Sequence, residues 1–464
     1  MKLDYDERSE NEMTVDVCEQ AIMDAVKQTT QQWVSIEVKL QKQLDPITLF
    51  EMSKEDAGDR FYFQLNDSKT TFFGYRVATK IKNDFTNKRS IFKEWEKFKD
   101  NIALIHPDSE RHHLRICGGF QFSTKRLGDE WRRFGVNHFI LPEVLISQVN
   151  DETFLTYTVQ KETFSIDQFN ALFDQLNHLE TIEIKDTTPP PVKRMEDIYK
   201  DEWEALVAKT TEQLAHDEKI VLSRRRMVQF DADLSIPTIL YRALQNEKNS
   251  YLFVLESEED VFISQTPEQL FKVTNGELST KAVAGTIRRT HDEKVDQAHV
   301  EAFLKDEKNL VEHEIVVESI LEDIRPFTTH VDYNKEPKIL KNDHLYHLYT
   351  EIGGPLAQKS YIELIDDLHP TPALGGYPKA RALDYIEAHE FGARGLYGAP
   401  VGMIDMYDDC EFIVAIRSML MNRHQALLFA GAGIVQESNA AEEVAETALK
   451  FKPMMEALGV TEYD

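Results

Sequence analysis

Cysteine is scarce in this chain: three among 464 residues, Cys18, Cys117 and Cys410. Their separations match neither a metal-binding nor a redox motif, and the expectation is reduced thiols in a cytoplasmic protein. Long apolar runs are also missing. No stretch reaches the ~20 residues that span a bilayer, and the first residues lack the charged–apolar–small order of a secretory leader. Positive charge is in deficit, with 53 Lys and Arg against 81 Asp and Glu and a net charge of −28. Such a field repels polyanions, which argues against nucleic acid or an anionic membrane surface as partner. A small anion held by local cations is compatible with it. No internal repeat or low-complexity tract is present.

What the chain has is core-forming material, 42% hydrophobic and 10% aromatic residues, ample for one large domain or two. Residues 1 to about 30 are polar and acidic and read as a helix or a frayed end. Trp33–Val38, Phe61–Leu65, Thr71–Val77, Leu114–Phe122 and Phe139–Ile146 read as strands, and Ile91–Ile105 has helical spacing. Short strands separated by turns, with few βαβ alternations, predict an antiparallel α+β fold. The polar, proline-rich stretch Asp186–Pro191 marks a boundary or crossover near residue 190. Beyond it, Tyr251–Leu255 and Val261–Ser264 read as a hairpin. Thr266-Pro267-Glu268-Gln269-Leu270 reads as the start of a short helix, and His299–Ile324 as a long one.

Several stretches carry groups suited to chemistry, each with a bland reading beside it. Leu428–Val435 is an apolar strand whose Gly431-Ala432-Gly433 lets another group approach the backbone closely. Asn439 then caps a helix, with Glu442 completing a capping box. Glu443, Glu446 and Lys450 share one face of that helix. They are either oxygen ligands for a hard cation or a solvated face with a Glu446–Lys450 pair. Val444, Ala448, Phe451 and Met455 form the neighbouring apolar face. Lys219 heads an apolar strand as a functional amine or a sheet-edge surface residue. Glu268 is a functional acid or a helix-dipole partner. Glu312 is a ligand or a helix-surface acid.

Taken together, Lys219-Ile-Val-Leu-Ser223, Thr266-Pro-Glu268, Ala284-Gly-Thr286, Glu312-His-Glu314, His369-Pro-Thr-Pro-Ala-Leu-Gly-Gly376, Arg394-Gly-Leu-Tyr-Gly398, Ala415-Ile-Arg417, Ala430-Gly-Ala-Gly433 and Glu443-Val-Ala-Glu446 resemble the chorismate-utilising enzymes in order and spacing. That family includes anthranilate, aminodeoxychorismate, salicylate and isochorismate synthases. The match runs from about Asp197 to the end. Before that, Gly118-Gly-Phe-Gln-Phe122 fits. The resemblance implies the family's α+β fold, two antiparallel β-sheets packed in the core with helices outside. It also divides the chain into a variable N-terminal part of that fold (1–190) and a chorismate-binding catalytic region (191–464).

Within the family the resemblance points to the isochorismate synthases. Ala284 stands where the aminodeoxychorismate branch has a nucleophilic lysine, and Lys219 stands where anthranilate synthases have glutamine. The His369–Leu374 run is more like isochorismate than salicylate synthases, and the length is more like menaquinone-pathway than siderophore-pathway members. The implied reaction is Mg²⁺-dependent addition of water at ring C2 with loss of the C4 hydroxyl, without an amidotransferase subunit, by a monomer or weak homodimer. A salicylate synthase or a non-catalytic chorismate-binding protein are the competing readings. The implied roles are Lys219 as base, which must be neutral to accept a proton, and Glu268 as acid, which burial keeps protonated. Glu312, Glu443 and Glu446 would hold Mg²⁺. Arg417, Tyr397, Gly431 and Lys450 would take the enolpyruvyl carboxylate. Ala284, Gly285 and Thr286 would line the ring, and His347 would orient it or serve the structure.

Overall fold

The computed structural model of the chain describes residues 19–83, 89–107, 109–183, 188–246, 249–290, 292–341, 345–357 and 362–460. Within these elements the side chains of Lys82, Asn83, Arg89, Asn246, Thr286, Lys308, Glu312, Leu345 and Ile362 are not described. Cys18, His344 and the first part of the Asp186–Pro191 stretch lie outside the described residues.

The N-terminal strands are β1 (Trp33–Leu40), β2 (Phe61–Gln64), β3 (Thr71–Asn83), β4 (Ile102–Ile105), β5 (Arg115–Phe120), β6 (Asn137–Val149) and β7 (Glu152–Gln160). After them come β8 (Val192–Ile198), β9 (Lys219–Phe230), β10 (Tyr251–Ser257), β11 (Asp260–Thr266), β12 (Gln269–Thr274), β13 (Glu277–Arg288), β14 (Asp332–Tyr333), β15 (Lys338–Lys341) and β16 (Leu345–Pro355). The last are β17 (Gly376–Tyr377), β18 (Pro400–Asp405), β19 (Cys410–Val414), β20 (Ser418–Asn422) and β21 (Gln425–Ile434). The helices are α1 (19–28), α2 (Pro46–Met52), α3 (Arg89–Lys99), α4 (Ile166–Asn177), α5 (Lys200–Gln213), α6 (Ile236–Asn246), α7 (Glu293–Phe303), α8 (Glu307–Ile324), α9 (Ile362–Leu368), α10 (Lys379–His389) and α11 (Ala440–Leu458).

Strand pairing explains the architecture. From β3 one half-sheet runs through β2, β10, β11, β20 and β21 to β9, which β8 and β17 flank. From β6 the other runs through β5, β18, β19, β12 and β13 to β16. The long strands β3 and β6 pair with each other and join the halves. The two packed sheets expected from the sequence are therefore two halves of one folded sheet. A register shift between Val77 and Thr79 marks a bulge in β3, the device by which a strand bends. All described pairings are antiparallel except β1 with β4.

Between the halves lies a core of large side chains, Phe61, Phe63, Phe253 and Phe262 from one and Ile140, Val401 and Ile413 from the other. The outer face of the first half is covered by helices including α6 and α11, through Leu240, Phe451 and Met455. The outer face of the second is covered by α3, α8 and α9, through Trp95, Leu321 and Leu364. Strands β2 and β5, from before residue 190, pair with β10 and β18, from after it, so both segments share one sheet.

Local chemistry accounts for the ends of elements. Asn439 accepts the backbone N–H groups of Ala441 and Glu442, as an N-cap should. Gly459, at φ +75°, ends the same helix in the left-handed conformation. The helix expected over His299–Ile324 is two helices, because Asp306 caps α8 by accepting from Asn309 N–H. Thr266–Leu270 does not start a helix. Pro267 and Glu268 form a two-residue link from β11 into β12, where the Glu268 carbonyl accepts from Val414 N–H and the Glu268 N–H donates to Thr266 Oγ1.

Candidate active site

The chain passes between the two half-sheets twice in neighbouring places. Strand β11 enters β12 through Pro267-Glu268, and β19 enters β20 through Ala415-Ile416-Arg417. The two links are stitched together. Gln265 N–H donates to the Arg417 carbonyl at 3.0 Å, and Val414 N–H donates to the Glu268 carbonyl at 3.0 Å. Arg417 sits at φ +47°, a backbone conformation uncommon outside glycine and often found where function demands it.

Glu268 keeps some solvent contact as a residue, yet protein crowds its carboxyl, and burial pushes its pKa from 4.5 up to about 7. The charges of Arg417 and Lys219 pull in the opposite direction without overcoming burial. The Glu268 carboxyl is thus shifted toward its protonated form, and the Lys219 and Arg417 side chains lie close enough to act on it.

Lys219 reaches this place from the head of β9. The site-facing positions of β21 are glycines. A methyl group on Gly433 would fall 2.4 Å from Lys219 Cε, and one on Gly431 would fall 2.5 Å from the Tyr397 hydroxyl. The close approach expected at Gly431-Ala432-Gly433 is therefore made by these two side chains. Tyr397 is buried and stacks on Phe429 with ring centroids 5.3 Å apart. Burial raises its pKa, and the charges of Arg417 and Glu268 reach it.

From the second half-sheet come Ala284, Gly285 and His347. The β13–β16 register shifts between Ala284 and Thr286, and Gly285 lies there at φ +78°, the left-handed conformation of a glycine bulge. The His347 ring hydrogen-bonds the Gly285 backbone. Burial, aided by the charge of Arg417, lowers the pKa of His347 and keeps it neutral. Arg417 thus acts electrostatically on Glu268, His347 and Tyr397 alike. The backbone of Thr286 pairs with that of His347.

Helix α11 contributes the acids. Lys450 Nζ donates to the Gly431 carbonyl at 2.8 Å and pairs with Glu446 Oε1 at 2.7 Å, so the intrahelical pair is formed. The pKa of Glu443 is raised by burial and by the charge of Glu446, while a hydrogen bond with Ser438 lowers it. Carboxylate oxygens on one helix face are the donor type a hard divalent cation takes, and Glu446 here is paired with Lys450. Glu312 lies on α8, and its side chain is outside the described residues. Among the described residues no group of three or more His, Cys, Asp or Glu is arranged to hold a metal ion.

Sequence reasoning missed a buried clamp behind Lys219. The Glu390 carboxylate accepts from Ser223 N–H at 2.7 Å and Ser223 Oγ at 2.8 Å, and it pairs with the Arg394 guanidinium. Arg394 also donates to the carbonyls of Leu374 and Val221 at 2.8 and 2.7 Å, with the Phe122 ring 4.2 Å away. This ties β9, the loop before β17 and the turn bearing Tyr397 into one unit. No helical spacing signals it, because α10 ends at His389 and the Glu390–Arg394 pair spans the turn after it. His369 is a partner of the same turn, its Nε2 lying 3.1 Å from the Gly398 carbonyl.

No helix among the described residues is long and apolar enough to cross a membrane. Residues 19–459 match the family model described as chorismate binding enzyme. The isochorismate synthase MenF of Bacillus subtilis is 33% identical over 432 residues, covering 90% of this chain and 91% of that protein. The salicylate biosynthesis isochorismate synthase of Pseudomonas aeruginosa is 28% identical over 429 residues, covering 89% and 88%. The solved structure of the menaquinone-specific isochorismate synthase MenF of Escherichia coli superposes with a TM-score of 0.78 at 22% identity, covering 96% of this chain and 99% of that one. With the fold, the ordered motifs and these matches in agreement, the chain belongs to the chorismate-binding enzyme family.

Proposed function

We propose that this protein is an isochorismate synthase, an isomerase that converts chorismate to isochorismate, in the menaquinone branch of the family. The observation that carries the reading is Glu268, its pKa raised to about 7, in the company of Lys219 and Arg417. An acid protonated near neutrality beside a lysine is the pairing a hydroxyl exchange needs. The identity with the Bacillus subtilis MenF over nearly the whole of both chains supports the menaquinone assignment.

In this reading the reactive form has its proton on Glu268 and a neutral amine at Lys219, which takes a proton from water as the water oxygen bonds to ring C2. The ring double bonds shift, the C4–O bond breaks, and Glu268 delivers the proton that lets the C4 hydroxyl leave as water. Arg417, Tyr397, the Gly431 backbone and Lys450 hold the enolpyruvyl carboxylate. Ala284, Gly285 and Thr286 line the ring, and neutral His347 orients it. Residues 191–464 thus carry the chemistry, and residues 1–190 are a variable part of the same fold. Glu312, Glu443 and Glu446 would hold Mg²⁺, which, when bound, neutralises the ring carboxylate of a dianionic substrate in an acidic protein. Lys450 pairs with Glu446 and holds its side chain on the helix face.

The test is product analysis of purified protein given chorismate and Mg²⁺ in isotopically heavy water, with ammonium added and no partner subunit. Isochorismate with one labelled ring oxygen is expected. Salicylate as main product, an aminated product, or unlabelled isochorismate would each overturn the reading.

A further inference from the structure

Strand β21 alternates with period two. Ala432 and Ile434 point into a core shared with α5 and α10, whereas Gly431 and Gly433 lie on the opposite, partly exposed face. Each glycine on that face lies under a different functional side chain. Tyr397 covers Gly431, and the stem of Lys219 covers Gly433.

In register Gly433 pairs with Val221, two residues beyond Lys219, so the lysine crosses it diagonally from the neighbouring strand. A Cβ on Gly433 would stand 2.4 Å from Lys219 Cε and 3.1 Å from Nζ. The first separation is about 1 Å short of the ~3.5 Å at which carbon atoms rest in contact. Gly433 is not in the left-handed region, so its backbone tolerates a side chain. The three heavy atoms nearest that Cβ all belong to the lysine. The backbone at the other end of the lysine is fixed as well. Gly376 pairs with Ile220 and Tyr377 with Lys219, and a Cβ on Gly376 would stand 2.0 Å from the Lys219 carbonyl.

We propose that Gly433 is a positioning residue for the reaction: its bare backbone is the floor on which Lys219 lies, and it sets where the amine is presented to water and ring. The inference rests on the reading of Lys219 as the base. A methyl group at 433 pushes Cε of the lysine by about 1 Å and carries the amine with it, and a displacement of that size costs on the order of a hundredfold when it separates reacting groups.

The experiment is a double-mutant cycle of Gly433→Ala and Lys219→Ala in the full chain, with kinetics and thermal melting. Gly433→Ala alone is expected to lower kcat by about 10- to 100-fold with KM within about twofold. In the Lys219→Ala background the same change should cost less than about twofold in kcat. Melting should follow the same pattern, with Gly433→Ala lowering Tm and the double variant regaining it, because the clash has gone. Where Lys219→Ala turnover is below detection, the melting temperatures alone complete the cycle. Equal losses in both backgrounds, or a raised KM at unchanged kcat, would overturn the positioning role. So would a double variant no more stable than Gly433→Ala. Failure of the underlying reading looks different: Lys219→Ala itself would retain turnover.

Discussion

At the scale of single residues, Glu268 is where burial and charge compete most openly. Its pKa stands at about 7 in the folded chain against 4.5 as an ordinary glutamate. The folded state therefore holds a proton that the unfolded state releases between those values. The contribution to stability is full below about 4.5 and is lost as pH rises through about 7. Glutamine keeps the shape and removes the ionisation. Glu268→Gln should abolish most turnover, by roughly a hundredfold or more. At pH 8 it should nonetheless be more stable than the natural chain, by about 1–3 kcal/mol after allowance for solvent screening. The gap should close towards zero near pH 4, as wild-type Glu268 becomes protonated in both states. Thermal or denaturant unfolding across that range checks the prediction, and a Glu268→Gln chain no more stable at pH 8 would refute it. The type of residue and the sense of its pKa were legible in the sequence through the family motif. Lys219 and Arg417 were assigned to the same site through the resemblance alone, because Arg417 lies 149 positions away (417 − 268) and no local pattern links it to Glu268.

At the scale of elements, alternation and capping carried the sequence reading a long way. β9, β21 and α11 follow directly from apolar periodicity, Gly431-Ala432-Gly433 and the Asn439 cap. The errors have a common physical origin. Pro267 and Glu268 look like a helix start locally, but β11 and β12 are held extended by β20 and β19, which no local pattern reveals. The Glu390–Arg394 clamp escaped for the same reason, since its Ser223 contacts span 167 residues. An ion pair so deeply buried is costly to break from one side, because the other charge stays buried alone. Glu390→Ala should destabilise the protein by about 3–5 kcal/mol, seen as a large drop in Tm. Glu390→Gln, which keeps an acceptor for Ser223, should lose less. If both variants melt with the natural chain, the clamp does not hold β9 in place.

At the scale of the whole molecule, every proposed site residue lies beyond residue 190, yet the sheet that positions them does not. β10 has β2 on one side, and β18 has β5 on one side. The two half-sheets are joined through β3 and β6, both from before residue 190. The core between the halves draws Phe61, Phe63, Phe72, Trp131 and Ile140 from that segment. Trp131 also lies against Gly395, where an added Cβ would meet its ring at 1.9 Å, directly beside the turn that bears Tyr397. A fragment of residues 191–464 would expose the unpaired edges of β10 and β18 and the apolar inner faces of both halves, the situation that drives edge-to-edge aggregation. Its two halves would keep the links at 267–268 and 415–417 but lose the strands that set their angle. The expected outcome is a fragment that is insoluble or lacks a cooperative melt, and that does not turn over chorismate although it carries Lys219, Glu268, Arg417 and the α11 acids. The full chain should instead unfold in a single calorimetric transition, because one continuous sheet couples the segments on either side of residue 190. A soluble 191–464 fragment with a sharp melt near that of the full chain would show that the N-terminal strands are a dispensable addition. Two resolved transitions in the full chain would show that the shared sheet does not couple the segments.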